Sequence, residues 1–309
     1  MKPTLEDLRV YSVVCETGSL SAAARELGCT QPAVSQHVRH LEAEVGAPLL
    51  ERGRKGVTLT QAGEVLARTA GESLGALDGG LREVRRLREG ETGSLTIATG
   101  GTTVRHFLRD SARTFLREHP EVTLHFEPVS SSTVCFERLR AHRAELTFVT
   151  CLDPPAGLQQ RPVFEMQSML IVPADDPRAK RRRFELGQLG DIRYISLPES
   201  TTSAGQIRRL LAQQGASPEV VATVDDFDTA HLFVELGLGH SIVPAVHARS
   251  FVREGRVRAI PIRGLAFRVG WAARSFESLS PPARAFLAGF RSSLGQWRSV
   301  AGVRVLGGA

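Results

Sequence analysis

Polar side chains of several chemical types recur along one short segment, from Thr30 to Arg39. Gln31 and Gln36 carry amides that can form bidentate hydrogen bonds with adenine, and the guanidinium of Arg39 can do the same with guanine. The hydroxyls of Thr30 and Ser35, together with the free N–H groups at the start of a helix, suit phosphate oxygens. The segment therefore has the chemistry to read base edges in the major groove of DNA.

Three short helices are predicted to position this segment. Thr4, Ser19 and Thr30 each stand where a side chain can cap the N-terminus of a helix, and Gly18 and Gly28 follow the first two helices as stop signals. The second and third helices, joined by a turn, would form a helix-turn-helix, whose second helix enters the major groove. The alternative is an ordinary small helical subdomain with glutamine and arginine on its surface.

The third predicted helix has one apolar stripe, which decides the side chains that face outward. Pro32 fits its first turn because proline lacks an N–H. The stripe consists of Ala33, Val34, Val38 and Leu41. The side chains expected to face away from it are Gln31, Ser35, Gln36, Arg39 and His40. His37 and His40 could add pH-dependent phosphate contacts, but the simpler expectation is two solvated histidines.

A short hairpin is predicted after the three helices, over Gly53 to Thr60. Val57 and Leu59 alternate with polar residues, as in a half-buried strand. Three basic side chains would lie on this hairpin as on a wing, where they could contact the DNA backbone or the minor groove. They are Arg52, Arg54 and Lys55.

A long helix is predicted from Gln61 to about Glu89. Its apolar residues recur at steps of three and four, which is a heptad pattern. They are Ala67, Ala70, Leu74, Leu77, Leu81 and Val84. At ~1.5 Å per residue the helix is on the order of 40 Å long, and so long a polar helix with one narrow apolar stripe favours dimerisation along it. The alternative is a core helix of one domain, and Gly79-Gly80 weakens the helix pattern.

The remaining two hundred or so residues alternate short apolar runs with helical segments. Such alternation predicts a mostly parallel sheet covered on both sides. A break near Arg161-Pro162 allows two lobes. Ligands of open α/β sheets bind beyond the carboxyl ends of strands, so the loops at those ends are the candidate ligand site.

Three of these strand ends are rich in glycine and hydroxyl groups, at Gly100–Thr103, Ser130–Thr133 and Pro198–Ser203. Each can open a helix, where free N–H groups favour an anion. We expect a small organic anion, most simply a carboxylate, in a cleft between the lobes. The expected contacts are Thr102, Thr103, Ser131, Ser200, Thr201 and Thr202, with Arg105 or His106 as charge partners and Phe227 or His240 as cleft walls. The alternative is that these hydroxyls only cap helices.

Composition narrows the class of protein. The chain has 309 residues, of which 42% are hydrophobic, and a formal net charge of +6. Residues 1–60 carry seven basic and seven acidic residues, so net charge does not locate a DNA-binding segment. No apolar run approaches the ~20 residues of a membrane span, and the N-terminus does not resemble a signal peptide. We therefore expect a cytoplasmic protein.

Enzymatic and redox functions are the competing interpretations. Gly239–Val243 lacks the second glycine of a nucleophile elbow, and neither a phosphate-loop nor a zinc-protease motif is present. An enzyme is therefore not expected, nor is a cofactor or a metal. A thiol-based redox sensor that binds DNA would need a reactive pair, for which Cys135 and Cys151 are the candidates. Reactive thiols require exposure and a lowered pKa, whereas Cys151 ends an apolar strand.

The N-terminal residues resemble one family. The run ETGSLSAAARELGCTQPAVSQHVRHLEAEVGAPLLERGRKGVTLTQAGE resembles the DNA-binding domain of LysR-type transcriptional regulators, and MLIVPADDPRAKRRR and ELGLGHSIVP resemble segments of their second lobe. The resemblance implies an N-terminal winged helix-turn-helix (mainly α), a long linker helix and a C-terminal α/β two-lobed effector domain like periplasmic binding proteins. It also implies promoter DNA as partner, a small-molecule effector and a homodimer or homotetramer.

The resemblance also carries over single residues and boundaries. The DNA-facing positions that match are Gln31, Pro32, Ser35, Gln36 and Arg39, with Arg54 in the wing. The implied divisions are 1–60 for DNA binding, 61–90 for the linker helix and 91–309 for the effector domain, with one lobe over about 93–164 and 268–309 and the other over about 165–267. Three residues depart from the family pattern: Gln36, where many members carry arginine, Thr147, where aspartate is frequent, and His240, where an aliphatic residue is usual.

Overall fold

The computed structural model describes residues 3–53, 56–88, 93–251 and 255–306. The chain forms two compact units. One comprises residues 1–89 with the short segment 140–143, and the other comprises residues 90–139 and 144–309. Over the described residues no helix combines the length and the apolar character needed to cross a membrane.

The first unit contains a helix-turn-helix, a hairpin and a long helix, as the sequence predicts. Its elements are α1 (Leu5–Thr17), α2 (Leu20–Glu26), α3 (Gln31–Val45), β1 (Leu50–Gly53), β2 (Gly56–Leu59) and α4 (Gln61–Arg88). The two strands pair antiparallel and form the wing. The expected caps are confirmed, because the hydroxyls of Thr4, Ser19 and Thr30 accept hydrogen bonds from the backbone N–H three residues later.

The core of the first unit packs the three short helices together and against the loop before the wing. Its fully buried members include Tyr11, Val14, Val34, Leu41 and Leu49. Burying each such side chain contributes about 1.5–3 kcal/mol. The Tyr11 hydroxyl donates a hydrogen bond of 3.0 Å to the carbonyl of Gly63, the third residue of α4. This core therefore fixes the start of α4 and holds α3 against the other two short helices.

The second unit is an α/β structure around one extended sheet. Its helices are α5 (Gly101–Thr103), α6 (Arg109–Glu118), α7 (Ser132–Arg140), α8 (Thr202–Gln213), α9 (Phe227–Glu235), α10 (Ala245–Phe251) and α11 (Pro281–Ser292). A π-helical segment, Val104–Leu108, connects α5 to α6. The strands are β3 (Ser94–Thr99), β4 (Thr123–Pro128), β5 (Leu146–Thr150), β6 (Gln159–Pro173), β7 (Phe184–Glu185), β8 (Arg193–Ser196), β9 (Glu219–Thr223), β10 (Ser241–Pro244), β11 (Val257–Ala273) and β12 (Val303–Val305).

The sheet is mixed, so the expectation of a mostly parallel sheet is wrong. The main path runs β10-β6-β11-β5-β3-β4, and β8 and β9 form a separate pair. β3 is parallel to β4 and β5, whereas β11 runs antiparallel to both β5 and β6. The apolar pattern does not identify β11 as one long strand, because Pro261 and Gly264 interrupt its apolar residues, and the pairing with β6 shifts register between Pro261 and Ala266.

An aromatic cluster fills the core on one side of this sheet. Phe148 lies with its ring centroid 4.9 Å from Trp271 and 5.6 Å from Phe290, and Phe107 and Phe164 stack at 5.0 Å. Two separate apolar clusters, one around Leu170 and one around Ile195, lie on opposite faces of the part of the sheet that contains β10. This distribution of cores is what two lobes joined by β6 and β11 would show, and the lobe boundaries near residues 164 and 268 remain a prediction.

Candidate functional site

The outer face of α3 presents most of the side chains expected to read bases. Thr30, Gln31, Pro32, Gln36 and Arg39 are all exposed. Thr30 caps the helix by accepting a hydrogen bond of 3.4 Å from the N–H of Ala33, which leaves its hydroxyl hydrogen available to donate. Arg54 and its neighbour Lys55 lie outside the residues that the structure describes, so their place on the wing remains a prediction.

Ser35 differs from the expectation that it faces outward. Its side chain is largely buried, with 9% of the residue exposed. The Nε2 of Gln31 donates a hydrogen bond of 3.2 Å to the Ser35 hydroxyl, and the Nε of Arg39 donates one of 3.2 Å to the Ser35 backbone carbonyl. Ser35 is one turn from each of the two longer side chains, so its hydrogen bonds hold both of them in place. The sequence pattern placed Ser35 on the polar face because serine is a polar residue type, and residue type alone does not show how closely a small side chain is packed.

The two histidines of α3 are not the solvated surface residues that the sequence led us to expect. The Nδ1 atoms of His37 and His40 lie 2.8 Å and 2.9 Å from the carboxylate oxygens of Asp7, on α1. Periodicity within α3 could not show this contact, because Asp7 is thirty residues earlier in the chain.

A cavity of about 230 Å³ lies at the carboxyl ends of strands in the second unit. Five of the six hydroxyl contacts expected from the sequence line it, and so does Phe227, one of the two expected cleft walls; the five are Thr102, Thr103, Ser131, Thr201 and Thr202. Ser200 does not line it, although the two residues that follow it do. The hydroxyl clusters after β3, β4 and β8 therefore meet at one place, as the strand-end rule predicts.

Helix N-termini meet at the same cavity. The first residues of α5, α7, α8 and α9 all line it. α5 and α8 begin at Gly100 and Thr201 without a side-chain cap. The first N–H of α7, at Ser132, donates a hydrogen bond of 2.7 Å to the Thr202 hydroxyl, and Asp226 caps α9. Uncapped N–H groups and the positive ends of helix dipoles favour a bound anion.

The lining hydroxyls divide into two groups by their partners. The hydroxyl of Thr201 donates to the carbonyl of Pro198 at 2.8 Å, and that of Ser132 donates to the carbonyl of Thr150 at 2.8 Å. Within the described parts of the chain, the hydroxyls of Thr102, Thr103 and Ser131 have no hydrogen-bond partner in the protein. These three expected contacts are therefore available to a ligand, as are the hydroxyls of Ser130, Thr150 and Ser203, which also line the cavity and have no partner among the described residues.

Sequence reasoning missed the acidic side of the cavity. Asp225, Asp226 and Asp228 line it, directly after β9. The same strand-end rule would have found them, since β9 is parallel to β8, but only loops rich in hydroxyls were considered. Asp226 is occupied as a helix cap. Because Asp228 pairs with Arg105, Asp225 is the carboxylate left to accept hydrogen bonds from a ligand.

The charge partners expected from the sequence are engaged elsewhere. An Arg105 Nη1 lies 2.5 Å from the Asp228 carboxylate. His106 lies with its Nε2 3.4 Å from the Nδ1 of His247, and burial, reinforced by Arg105, lowers the pKa of His106 to about 4. Neither residue lines the cavity. The lining of the cavity therefore does not support Arg105 or His106 as a charge partner, and that role stays an untested prediction.

His240 is not a wall of this cavity either. Its Nε2 lies 2.9 Å from a carboxylate oxygen of Asp176, and its backbone N–H donates to the carbonyl of Arg193. Thr147, the other departure from the family pattern, is fully buried in β5. Its hydroxyl has no hydrogen-bond partner among the described residues. Both residues belong to the interior of the unit rather than to the ligand site.

The two candidate redox thiols are held in their protonated form. Burial raises the pKa of Cys135 to about 12, and nearby Glu127 adds to the effect. Burial raises the pKa of Cys151 to about 11. Cys135 lines the cavity and lies 3.6 Å from the carbonyl of Ala98. A thiol with so high a pKa is a poor nucleophile.

Among the described residues, no group of three or more His, Cys, Asp or Glu could hold a metal ion.

Two family models match the chain and together cover most of it. Residues 5–64 match "Bacterial regulatory helix-turn-helix protein, lysR family", and residues 88–295 match "LysR substrate binding domain". A probable RuBisCO transcriptional regulator of Cyanidioschyzon merolae is 25% identical over 86% of this chain and 91% of its own. A RuBisCO operon transcriptional regulator of Acidithiobacillus ferrooxidans is 28% identical over 92% of both chains.

Solved structures agree on the fold. The crystal structure of CbnR, a LysR family transcriptional regulator, aligns with a TM-score of 0.61 at 23% identity, over 94% of this chain and 99% of that one. An OxyR cysteine variant from Corynebacterium glutamicum aligns with a TM-score of 0.57 at 23% identity, over 96% and 94%. At these identities the likeness concerns the fold alone.

Proposed function

Because the chain belongs to the LysR family of transcriptional regulators, we propose that it binds promoter DNA through α3 and changes transcription when a small molecule occupies the cavity of its second unit. The observation that carries the first part is the row of exposed Gln31, Gln36 and Arg39 on a helix whose other face is core. The observation that carries the second is the meeting of four helix N-termini at one cavity with several unpartnered hydroxyls, among them those of Thr102, Thr103 and Ser131.

The residues of α3 have distinct roles in this proposal. Gln31 and Gln36 accept and donate on base edges, with adenine as the favoured partner, and Arg39 pairs with guanine. Thr30 and the N–H groups after Pro32 contact phosphate. Ser35 orders Gln31 and Arg39 before DNA arrives, which lowers the entropy lost on binding. Arg54 on the wing contributes a phosphate or minor-groove contact.

We predict that Gln31→Ala relaxes sequence preference at one base pair. Loss of a bidentate contact should weaken binding to a preferred duplex about tenfold, while binding to a scrambled duplex of the same length stays unchanged, because phosphate contacts carry no sequence information. The preferred duplex can be selected from a random pool with the full chain, and both affinities measured by fluorescence anisotropy. Gln213→Ala, an exposed glutamine at the end of α8, is the control. Equal losses on both duplexes would contradict the role.

Dimerisation through α4 is the proposed arrangement of the DNA-bound form. Leu77, Leu81 and Val84 are exposed at 37%, 44% and 63%, which is unusual for three apolar residues at heptad spacing. A second copy of α4 would bury them. Two paired α4 helices would present two copies of α3 to major grooves about one helical turn apart.

The proposed effector is a small organic anion that also carries hydrogen-bond donors. Its anionic group would lie against the uncapped N-termini of α5 and α8 and the hydroxyls of Thr102 and Thr103. Asp225 would accept hydrogen bonds from amino or hydroxyl groups at another position on the ligand. Ligand binding alters DNA binding only if its affinity differs between the two arrangements of the regulator. The high pKa of Cys135 and of Cys151 supports this input over thiol oxidation.

We predict that Thr102→Val abolishes the effector response and leaves DNA affinity intact. Valine keeps the shape of threonine but removes the donor and acceptor. A thermal-shift panel of small hydroxy and amino acids would identify a stabilising compound, because a ligand of the folded state raises apparent stability by mass action. DNA binding would then be titrated with that compound. Ser200→Ala is the matched control, since Ser200 does not line the cavity. An unchanged response in Thr102→Val would remove this residue from the site.

A further inference from the structure

Asp7 of α1 is a buried carboxylate that joins α1 to α3. Only 3% of the residue is exposed. One carboxylate oxygen, Oδ1, lies 2.8 Å from the Nδ1 of His37, and the other, Oδ2, lies 2.9 Å from the Nδ1 of His40. Oδ2 also accepts hydrogen bonds from the N–H and the hydroxyl of Thr4, at 2.8 Å and 2.6 Å. Both oxygens are therefore used, and each contacts a different turn of α3.

The hydrogen bonds account for a charge in a buried position. Burial by itself would raise the pKa of Asp7, but the hydrogen bonds from Thr4, His37 and His40 lower it well below its ordinary value. The carboxylate is therefore ionised and acts only as an acceptor. Each imidazole must place a proton on Nδ1 to donate to it. Removing one hydrogen-bond partner of such a buried carboxylate is costly in free energy, because the charge that stays behind is less well compensated.

The positions of the two histidines connect this contact to base reading. His37 follows Gln36 directly in the chain, and His40 follows Arg39. Two attachment points three residues apart on one helix fix its rotation about its own axis, whereas a single contact would allow the helix to turn. The exposed Gln36 and Arg39 extend from the same turns of α3. A small rotation of α3 would move both side chains relative to the base edges.

We propose that Asp7 is a positioning residue for DNA recognition, which acts through His37 and His40 to fix the rotation of α3. This inference rests on the proposed function of α3 as the reading helix. The apolar packing of Val34, Val38 and Leu41 holds α3 against the core, and the Asp7 contacts select one orientation from those that the apolar packing permits. A positioning role predicts a loss of discrimination rather than a uniform loss of binding.

The test compares full-length variants on the selected duplex and on its scrambled counterpart. Asp7→Asn leaves one carbonyl oxygen where two carboxylate oxygens accepted four contacts, so we expect the ratio of the two affinities to fall on the order of tenfold. Circular dichroism monitors folding. Glu6→Gln is the matched control, because Glu6 is the neighbouring acid on α1, is exposed and approaches Arg9 only to 4.0 Å. This control should keep the wild-type ratio.

Histidine variants test the proposal even if Asp7→Asn fails to fold, because they leave the Thr4–Asp7 cap intact. His37→Ala and His40→Ala should each lower the ratio. In the Asp7→Asn background, where that protein folds, His40→Ala should add little, as a double-mutant cycle reports for groups that act together. Equal weakening on both duplexes, or an unchanged ratio in both histidine variants, overturns the proposal. Gln31→Ala separates the two hypotheses. If Gln31→Ala lowers the ratio while the histidine variants do not, only the positioning role of Asp7 fails. If Gln31→Ala leaves the ratio unchanged, base reading by α3 fails as well.

Discussion

Replacing Gly63 with alanine is expected to destabilise the first unit of the chain strongly and to weaken DNA binding. Gly63 is the third residue of α4, and a Cβ atom there would overlap the backbone carbonyl oxygen of Leu49 and lie 2.9 Å from the Tyr11 hydroxyl. Leu49 and Tyr11 are both fully buried. The obstruction is backbone, so no side-chain rotation relieves it, and the hydrogen bond from Tyr11 to the Gly63 carbonyl would be lost with the movement.

The expected cost is large in relation to the stability of a domain. Overpacking a core costs about 1–3 kcal/mol, and an obstruction by backbone together with a lost buried hydrogen bond should reach or exceed the upper end of that range. A domain has only about 5–15 kcal/mol in total. Hydrogen exchange followed by mass spectrometry would show the loss as reduced amide protection in α1 and α3, while protection in β3 to β5 is retained.

Gly71→Ala is the control on the same helix. Nothing lies within 4 Å of an added Cβ there, and alanine is favoured over glycine in a helix interior by about 1 kcal/mol. This variant should therefore keep or raise the protection of α4 and bind DNA normally. If both substitutions lower protection equally, the cause is not the contact with Leu49.

Acidification is expected to destabilise the second unit through the buried His247 and the half-buried His106. His247 has no exposed surface. Its Nε2 donates a hydrogen bond of 3.0 Å to the carbonyl of Phe227, so its Nδ1 is unprotonated and accepts from the Nε2 of His106, at 3.4 Å. A proton on Nδ1 of His247 would oppose the N–H of His106. Burial, with a smaller contribution from His106, lowers the pKa of His247 to about 4, although Asp228 acts in the other direction.

The direction of the pH effect follows from proton counting. In the unfolded chain each histidine titrates near its ordinary pKa of 6.5, whereas in the folded chain both titrate at about 4. Between these values the unfolded chain binds more protons, so the free energy of unfolding decreases as the pH falls from about 6.5 to 4 and is unaffected above this range. One such shift corresponds to about 3 kcal/mol, and the two histidines interact, so their contributions do not simply add.

Thermal unfolding of the full chain between pH 7.5 and pH 5 would measure this effect. We expect the melting temperature of the second unit to fall by several degrees in the wild-type chain. His247→Leu should be less stable at neutral pH but less sensitive to acid, since it lacks the titrating group. His119→Gln removes a partly exposed histidine of the same unit and should retain the wild-type slope. A slope that persists in His247→Leu would assign the effect to other groups.

Local signals in the sequence were sufficient for the helices, the caps and the hairpin of the first unit. The caps at Thr4, Ser19 and Thr30 depend on side chains within three residues of the helix start. The apolar stripe of a helix depends on residues three or four positions apart. Such features are read from neighbours in the chain. The hydroxyl clusters of the cavity were also within reach, because the strand-end rule applies to each loop separately and needs no knowledge of the whole sheet.

Contacts between distant residues were not predictable in the same way. Asp7 pairs with histidines about thirty residues away, and Arg105 pairs with Asp228 across 123 positions. The neighbours of these residues in the sequence are of types common on protein surfaces and do not indicate the distant partner. Whether an arginine near a cavity carries a free charge depends on the acid that folding brings beside it. For this reason the cavity was located from the sequence, whereas its electrostatic character was not.

The aromatic core of the second unit has a consequence for how the protein is made. Phe148 packs against Trp271 and Phe290, which the ribosome adds more than a hundred residues later. Until then only Phe107 and Phe164 of its aromatic neighbours can cover it, and contacts so distant in sequence form slowly. Nascent chains interrupted before β11 would therefore leave part of this aromatic surface exposed and be prone to aggregation.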